Sequence, residues 1–125
     1  MKESAIQVAR IELPWPPRDL SPNSRVHWSV RAKAAKNYRE TCWALTMASN
    51  VKPGSARPIM LKVTFLAPDR RRRDDDNIIA AWKAGRDGLA DAWGVDDRHF
   101  SVAYFCGAEP VKGGMVIVEI KEEDI

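Results

Sequence analysis

Residues 58–97 read PIMLKVTFLAPDRRRRDDDNIIAAWKAGRDGLADAWGVDD, and the change of period inside this stretch decides the fold. From Pro58 to Ala67, Ile59, Leu61, Val63 and Phe65 alternate with Met60, Lys62 and Thr64. A period of two is what a strand with one buried face requires. Pro68 closes the run, since proline has no N–H to give a ladder. A charged loop, Asp69 to Asp75, leads into a helical pattern from about Asp76 to Trp93, with Gly94 as its stop. On a helical wheel with Asp76 at zero, Lys83 and Asp87 fall within about 20° of it. Ile78, Trp82, Leu89 and Trp93 collect on the other side. One face is therefore expected to pack on a sheet and the other to carry a polar stripe.

Upstream, Ile6 to Leu13 alternates imperfectly as a strand and ends at Pro14-Trp15-Pro16-Pro17. A polar loop through Pro22, Asn23 and Ser24 follows. A helix is expected from about Arg25 to Ser49, because Trp28, Ala32, Ala35, Tyr38, Cys42 and Leu45 recur as one apolar stripe. Pro53-Gly54 stops the segment. Downstream, Val95-Asp96-Asp97 reads as a short loop. Two strands follow, about Phe100 to Gly107 and Met115 to Lys121, joined by a turn through Gly113-Gly114. The order β-α-β-α-β-β predicts an α/β chain of the α+β kind, a mixed sheet covered by two helices. No Gly- or Pro-rich cluster divides residues 1–125, so a single domain is expected.

With 20 basic and 17 acidic residues the net charge is +3, too small to imply nucleic acid by itself. Its distribution is more telling: eight of the 17 acids lie between Asp69 and Asp97, directly against Arg70, Arg71, Arg72 and Arg73. Cys42 and Cys106 have no metal-ligand spacing and read as buried free thiols of a reducing compartment. No signal segment is apparent, and no apolar run approaches the roughly 20 residues needed to span a bilayer. A soluble, cytoplasmic protein without membrane association is expected.

The polar stripe alone has a plain structural reading. Aspartates at a helix start cap free N–H groups, and Lys83 and Asp87 make an ordinary i,i+4 pair. Asp74-Asp75-Asp76 together with Asp96-Asp97 shifts the balance. Asp74 and Asp76 point the same way if the backbone is extended, and Asp97 is expected to return to the same edge through tertiary folding. Such a cluster repels itself unless a cation is present. Mg²⁺ prefers oxygen ligands and commonly takes one or two carboxylates plus phosphate and water. A cation there would acidify water and offset charge on a phosphate, with Lys83 beside it.

Around Pro68 to Asn77 the sequence resembles the RusA family of Holliday junction resolvases of bacteria and their prophages. That family's core is an arginine run, Asp-x-Asp-Asn, a helical lysine, an aspartate and leucine, and a closing Asp-Asp. Here these are Arg73, Asp74, Asp76, Asn77, Lys83, Asp87, Leu89, Asp96 and Asp97. Leu13-Pro14-Trp15-Pro16-Pro17 and Val111-Lys112-Gly113-Gly114 resemble the family too. The resemblance implies a homodimeric nuclease using Mg²⁺ or Mn²⁺ and nicking opposed strands of a four-way junction symmetrically, in recombination and repair. It implies Asp74, Asp76 and Asp97 as catalytic metal ligands, with Lys83 as the catalytic lysine. The family's lysine lies four residues after the second aspartate; here Ala80 stands there, as a three-residue insertion would produce. The loop from Arg18 to Ser24 is also longer than in the family.

Arg70 to Arg73 and Asn77 are read as DNA-binding, the arginines gripping phosphates without reading sequence. Asn23 and Arg25 are read as substrate contacts or as helix-start residues. Arg31, Lys33, Lys36 and Arg39 read as surface residues of the helix. Trp15 and Trp28 are assigned to core packing in preference to base stacking. Asp87 is read as the partner of Lys83, and Asp96 as orienting its loop. His27 and His99 stand alone, and His99 is disfavoured as a ligand because Mg²⁺ sites favour oxygen. Alternatives remain open at this point: a nuclease of forks or flaps, a catalytically inactive junction-binding protein, or an acidic domain that only binds Ca²⁺.

Overall fold

The computed structural model describes residues 6–123. Four strands, β1 (Ile6–Leu13), β2 (Ile59–Leu66), β3 (Phe100–Cys106) and β4 (Met115–Glu123), form one mixed sheet. Three helices, α1 (Trp28–Ser49), α2 (Asp75–Ala81) and α3 (Lys83–Trp93), cover one face of it. The α+β expectation holds, and the β2 alternation is seen directly: Ile59, Leu61, Val63 and Phe65 are all buried. Opposite them on the same face lie Val116, Val118 and Ile120 of β4, and Ile11 and Leu13 of β1.

The strand order is β1-β4-β2-β3. β4 runs antiparallel to both β1 and β2, whereas β2 and β3 are parallel, with α2 and α3 as their crossover. β3 and β4 are thus consecutive but not neighbours. Gly113 and Gly114 do turn the chain, at φ 78° and 75°, where a side chain is disfavoured. That turn leads past β2 to β4 and makes no hairpin.

The second helix is not continuous, so two helices become three. Trp82, a turn residue at φ −87°, ψ −1°, joins α2 to α3. Its ring is fully buried, edge-on to Phe65 at 6.1 Å and Tyr104 at 6.3 Å. It also folds back over Gly85, where an added Cβ would lie 2.4 Å from Trp82 Nε1. Full burial of this tryptophan coincides with the break, and Gly85 makes room for it. A wheel drawn through Asp76 and Lys83 as one helix therefore does not apply.

α1 starts three residues later than expected, at Trp28. His27 is its N-cap, with Nδ1 accepting from Ser29 N at 3.1 Å. Asn50, left-handed at φ 59°, ends it ahead of Pro53-Gly54. Its buried row is Tyr38, Cys42 and Thr46. Thr46 is tolerated in the core because its hydroxyl donates to Cys42 O at 2.7 Å. Trp28 is 74% exposed and Leu45 39%, so the expected stripe is rotated and Trp28 is not a core residue. Cys42 is buried, as expected, and burial pushes its thiol up to about 12. Cys106 is exposed, contrary to expectation. Among the described residues, no helix is long and apolar enough to cross a membrane.

Candidate active site

Asp74 is the N-cap of α2, its Oδ1 accepting from Asp76 N at 2.9 Å. This arrangement is the structural role aspartates play at helix starts. It fixes the Asp74 side chain, which is exposed and whose second oxygen has no hydrogen bond or ion pair among the described residues. Asp76 is exposed and has no side-chain hydrogen bond or ion pair among the described residues. Asp75 is taken up by the sheet: Cys106 Sγ donates to its Oδ1 at 3.4 Å.

The arginine loop is organised by Asp69, which sequence reasoning passed over. Asp69 Oδ1 accepts from Arg71 N at 2.9 Å and from Arg73 Nη2 at 2.8 Å. Those bonds, the backbone one first, hold its carboxyl below the ordinary aspartate range. Arg73 also donates to the carbonyls of Asp69 and Arg71, and its guanidinium lies 5.9 Å over the Trp15 ring. It is an internal strut of the loop. Arg70 pairs with Glu109 at 2.7 Å on the surface. Arg71 is exposed, with Asp69 Oδ2 4.0 Å away, and Arg72 is exposed with no side-chain partner among the described residues. The four arginines thus divide between loop scaffold and free cation.

Between this loop and the proline segment lies an open concavity of about 570 Å³. Asn77, Asp74, Arg71 and Arg72 line one side; Trp15 and Asn23 line the other. Trp15 is half-buried, edge-on to Phe65 at 6.2 Å, and forms a wall of the concavity as well as part of the packing. The loop that carries Asn23 is held by Arg31, which the sequence reading put on the free surface of the helix and which is instead half-buried. Arg31 donates to Ser21 O at 3.0 Å and Ser24 O at 2.9 Å, clamping the 18–24 loop to α1. Arg25 is exposed and lies ahead of α1. Lys33 and Lys36 are exposed, while Arg39 is committed to Asp91.

Asp97 is not at this edge. Phe100 pairs with Ile59 and Cys106 with Phe65, so β3 runs parallel to β2. Asp75 touches the far end of β3, whereas Asp97 lies three residues before its beginning. Strand rise alone makes those ends roughly 20 Å apart. The expected return of Asp97 to the Asp74–Asp76 edge therefore does not occur within one chain, because the crossover carries the chain back along the strands. Among the described residues, no three Asp, Glu, His or Cys side chains are grouped to hold an ion.

A second cluster forms around Asp97 instead. Lys83 Nζ lies 3.2 Å from Asp87 Oδ1 and 4.0 Å from Asp97 Oδ2. The Lys83–Asp87 pair is as expected. Arg86, which sequence reasoning missed, puts Nε 3.2 Å from Asp97 Oδ2 and donates from Nη2 to Asp97 O at 3.1 Å. Its i,i+3 spacing from Lys83 was the available signal, since both cations then share a helix face. Asp96 caps the turn Asp97–His99 through Arg98 N at 2.9 Å, which lowers its carboxyl from the ordinary range. His99 donates its backbone N–H to Asp96 O.

The donors fit a hard cation in their chemistry. Asp74 and Asp76 present carboxylate oxygens at an exposed helix start, and Mg²⁺ needs only one or two such groups beside phosphate and water. All three carboxylates of one chain do not fit a single ion.

An exposed carboxylate pair, exposed Arg71 and Arg72 and a concavity lined in part by Asn23 and Asn77 thus lie together at one edge of the sheet. No protein-family profile matches the chain. It is 35% identical over 119 residues to the crossover junction endodeoxyribonuclease of Enterobacteria phage 82, covering 90% of this chain and 92% of that one. The crossover junction endodeoxyribonuclease RusA of Escherichia coli K12 is 34% identical over the same span and coverage. A Xylella fastidiosa protein of uncharacterized role is 41% identical over 119 residues, 91% of this chain and 76% of its own. The chain belongs to the RusA family of endonucleases.

Proposed function

We propose that this chain resolves Holliday junctions by Mg²⁺-dependent, symmetric hydrolysis of opposed strands, acting as a homodimer in recombination and repair. The observation that carries the reading is the Asp74–Asp76 pair at the start of α2, beside exposed Arg71 and Arg72 and the concavity lined by Asn23 and Asn77. Asp74 and Asp76 would hold the cation, Mg²⁺ or Mn²⁺, with phosphate and water completing its shell. When bound it supplies Lewis acidity and offsets charge on the phosphate. Arg71 and Arg72 would grip the strand's phosphates through their guanidinium N–H groups, and Asn77, Asn23 and Arg25 would orient it.

Asp97 joins the same ion only from a second copy of the chain. Two copies related by a twofold axis would build two such sites, Asp74 and Asp76 from one and Asp97 from the other. Lys83 travels with Asp97 and brings positive charge to the phosphate. A cytoplasmic location agrees with a DNA substrate.

The test is cleavage of a synthetic four-way junction with and without Mg²⁺, beside duplex and fork controls. Paired symmetric nicks on the junction alone support resolution. Equal cutting of forks moves the reading to a general branched-DNA nuclease, and tight binding without cutting in any metal moves it to a binding protein. Mixing Asp76→Asn with Asp97→Asn chains tests the shared site: each is inert alone, and the mixed dimer regains one competent site. Co-assembly without regained nicking refutes sharing.

A further inference from the structure

The Asp97 carboxylate is held by a residue whose own environment is unusual. Arg86 sits in the first turns of α3 with its side chain only 25% exposed. Its guanidinium lies 5.7 Å over the Phe100 ring. Nη2 donates to Asp97 O at 3.1 Å and Nη1 to Tyr104 Oη at 3.4 Å. Nε, 3.2 Å from Asp97 Oδ2, is buried and not aligned to form a hydrogen bond, so it is paired by charge alone. A buried donor without a hydrogen bond is costly and rare, and where one persists it calls for a specific reason. One side chain thus grips Asp97 by main chain and carboxylate together, while Lys83 approaches the same Oδ2 at 4.0 Å.

We infer that Arg86 is a positioning residue for Asp97: it fixes the turn 97–99 against α3 and β3 and aims the carboxylate for use by a divalent cation. The inference rests on the proposed reading that Asp97 is a ligand. Three features favour positioning over plain stability. The grip spans backbone and side chain of one residue. Tyr104 and Phe100 confine the guanidinium on the β3 side. Asp97 itself stays one-third exposed, open to a ligand outside the fold. Groups that orient a metal ligand without touching the ion commonly change metal affinity 10–100-fold when removed.

The experiment measures Mn²⁺ binding by electron paramagnetic resonance on the full dimer, with junction binding in EDTA and thermal melting as companions. Arg86→Gln is expected to raise the Mn²⁺ half-saturation about tenfold. Junction affinity in EDTA should be kept. Arg86→Lys restores one charge but not the two-point grip, so its half-saturation should fall between wild type and Arg86→Gln. Should Arg86→Gln fail to fold, Tyr104→Phe removes one anchor and keeps the ring; its half-saturation should rise by roughly threefold. Unchanged or tighter Mn²⁺ binding in Arg86→Gln, with binding weakened in Asp97→Asn, overturns the inference and leaves the proposed function standing. Unchanged Mn²⁺ binding in Asp97→Asn overturns both. Loss of junction affinity in EDTA by a folded Arg86→Gln makes Arg86 a DNA contact and overturns the positioning role.

Discussion

Cys106 Sγ donates to Asp75 Oδ1 across 3.4 Å, joining the last residue of β3 to the first residue of α2. Although the residue is exposed, local desolvation of the sulfur and then the facing carboxylate raise the thiol above its ordinary range, so it remains a protonated donor at neutral pH. The bond ties down the middle of three consecutive aspartates. Its neighbours divide the remaining work: Asp74 caps the helix, and Asp76 is left uncommitted.

Under the proposed function Asp74 would add metal binding to its capping role, and substitution can separate the two. Asparagine keeps a capping oxygen, so Asp74→Asn should abolish cleavage and leave the unfolding midpoint nearly unchanged. Asp74→Ala should lose cleavage and also about 1 kcal/mol of stability by urea titration. Asp76→Asn should retain junction binding and melting temperature while losing activity. Full cleavage by Asp76→Asn would remove the carboxylate pair from the chemistry.

The arginine run should split in the same way. Arg72→Ala should lower the slope of log K against log salt by about 1 if, as proposed, it makes one phosphate contact. Arg73→Ala should instead lower the melting temperature, since Asp69, two loop carbonyls and the Trp15 ring lose their partner. Equal effects of the two substitutions on the salt slope would contradict this division.

Much of this was legible because periodicity reports one-sided burial. The β2 alternation and the apolar set Ile78, Trp82 and Leu89 appear in the core where the pattern put them. The break at Trp82 was not legible, because a wheel assumes unbroken geometry and cannot see an indole folding onto Gly85. The stripe on α1 misled for a related reason. Trp28 is apolar but precedes the packed part of the helix, whereas Thr46 satisfies its hydroxyl internally and can be buried. Asp74 and Asp76 were legible as neighbours in sequence. The distance to Asp97 depends on β2 and β3 being parallel, and that pairing is not written in either strand alone.

Arg39 and Asp91 bind α1 to α3 through two bonds, Nε to Oδ2 at 2.6 Å and Nη2 to Oδ1 at 2.9 Å. Arg39 holds the Asp91 carboxyl below its ordinary range. A depressed folded value means this pair's stabilisation is complete above the unfolded carboxylate range and disappears as pH falls through the lowered one. Both side chains are more than a third exposed, so screening limits the worth to about 0.5–1 kcal/mol. Arg39→Gln should show that deficit in urea at neutral pH and converge with wild type in strong acid. A deficit that persists undiminished in acid would assign the loss to packing.

Gly88 lets α1 and α3 touch. A Cβ there would stand 2.5 Å from Arg39 O and 3.0 Å from both Cys42 Cβ and Trp43 N. Two of these are backbone atoms, which cannot swing away. Gly88→Ala should cost about 1–3 kcal/mol, read as a lowered urea midpoint. A stability equal to wild type would show that the helices separate freely.

The parallel pairing of β2 and β3 has a kinetic consequence. Under the proposed shared site, a lone chain holds two-thirds of a ligand set at one end of β3 and the remainder at the other. Cutting then becomes second order in the chain wherever subunits are mostly dissociated, and halving the copy number lowers the rate about fourfold. Such a nuclease would carry its own threshold: at trace abundance its cutting would fall away faster than its copy number.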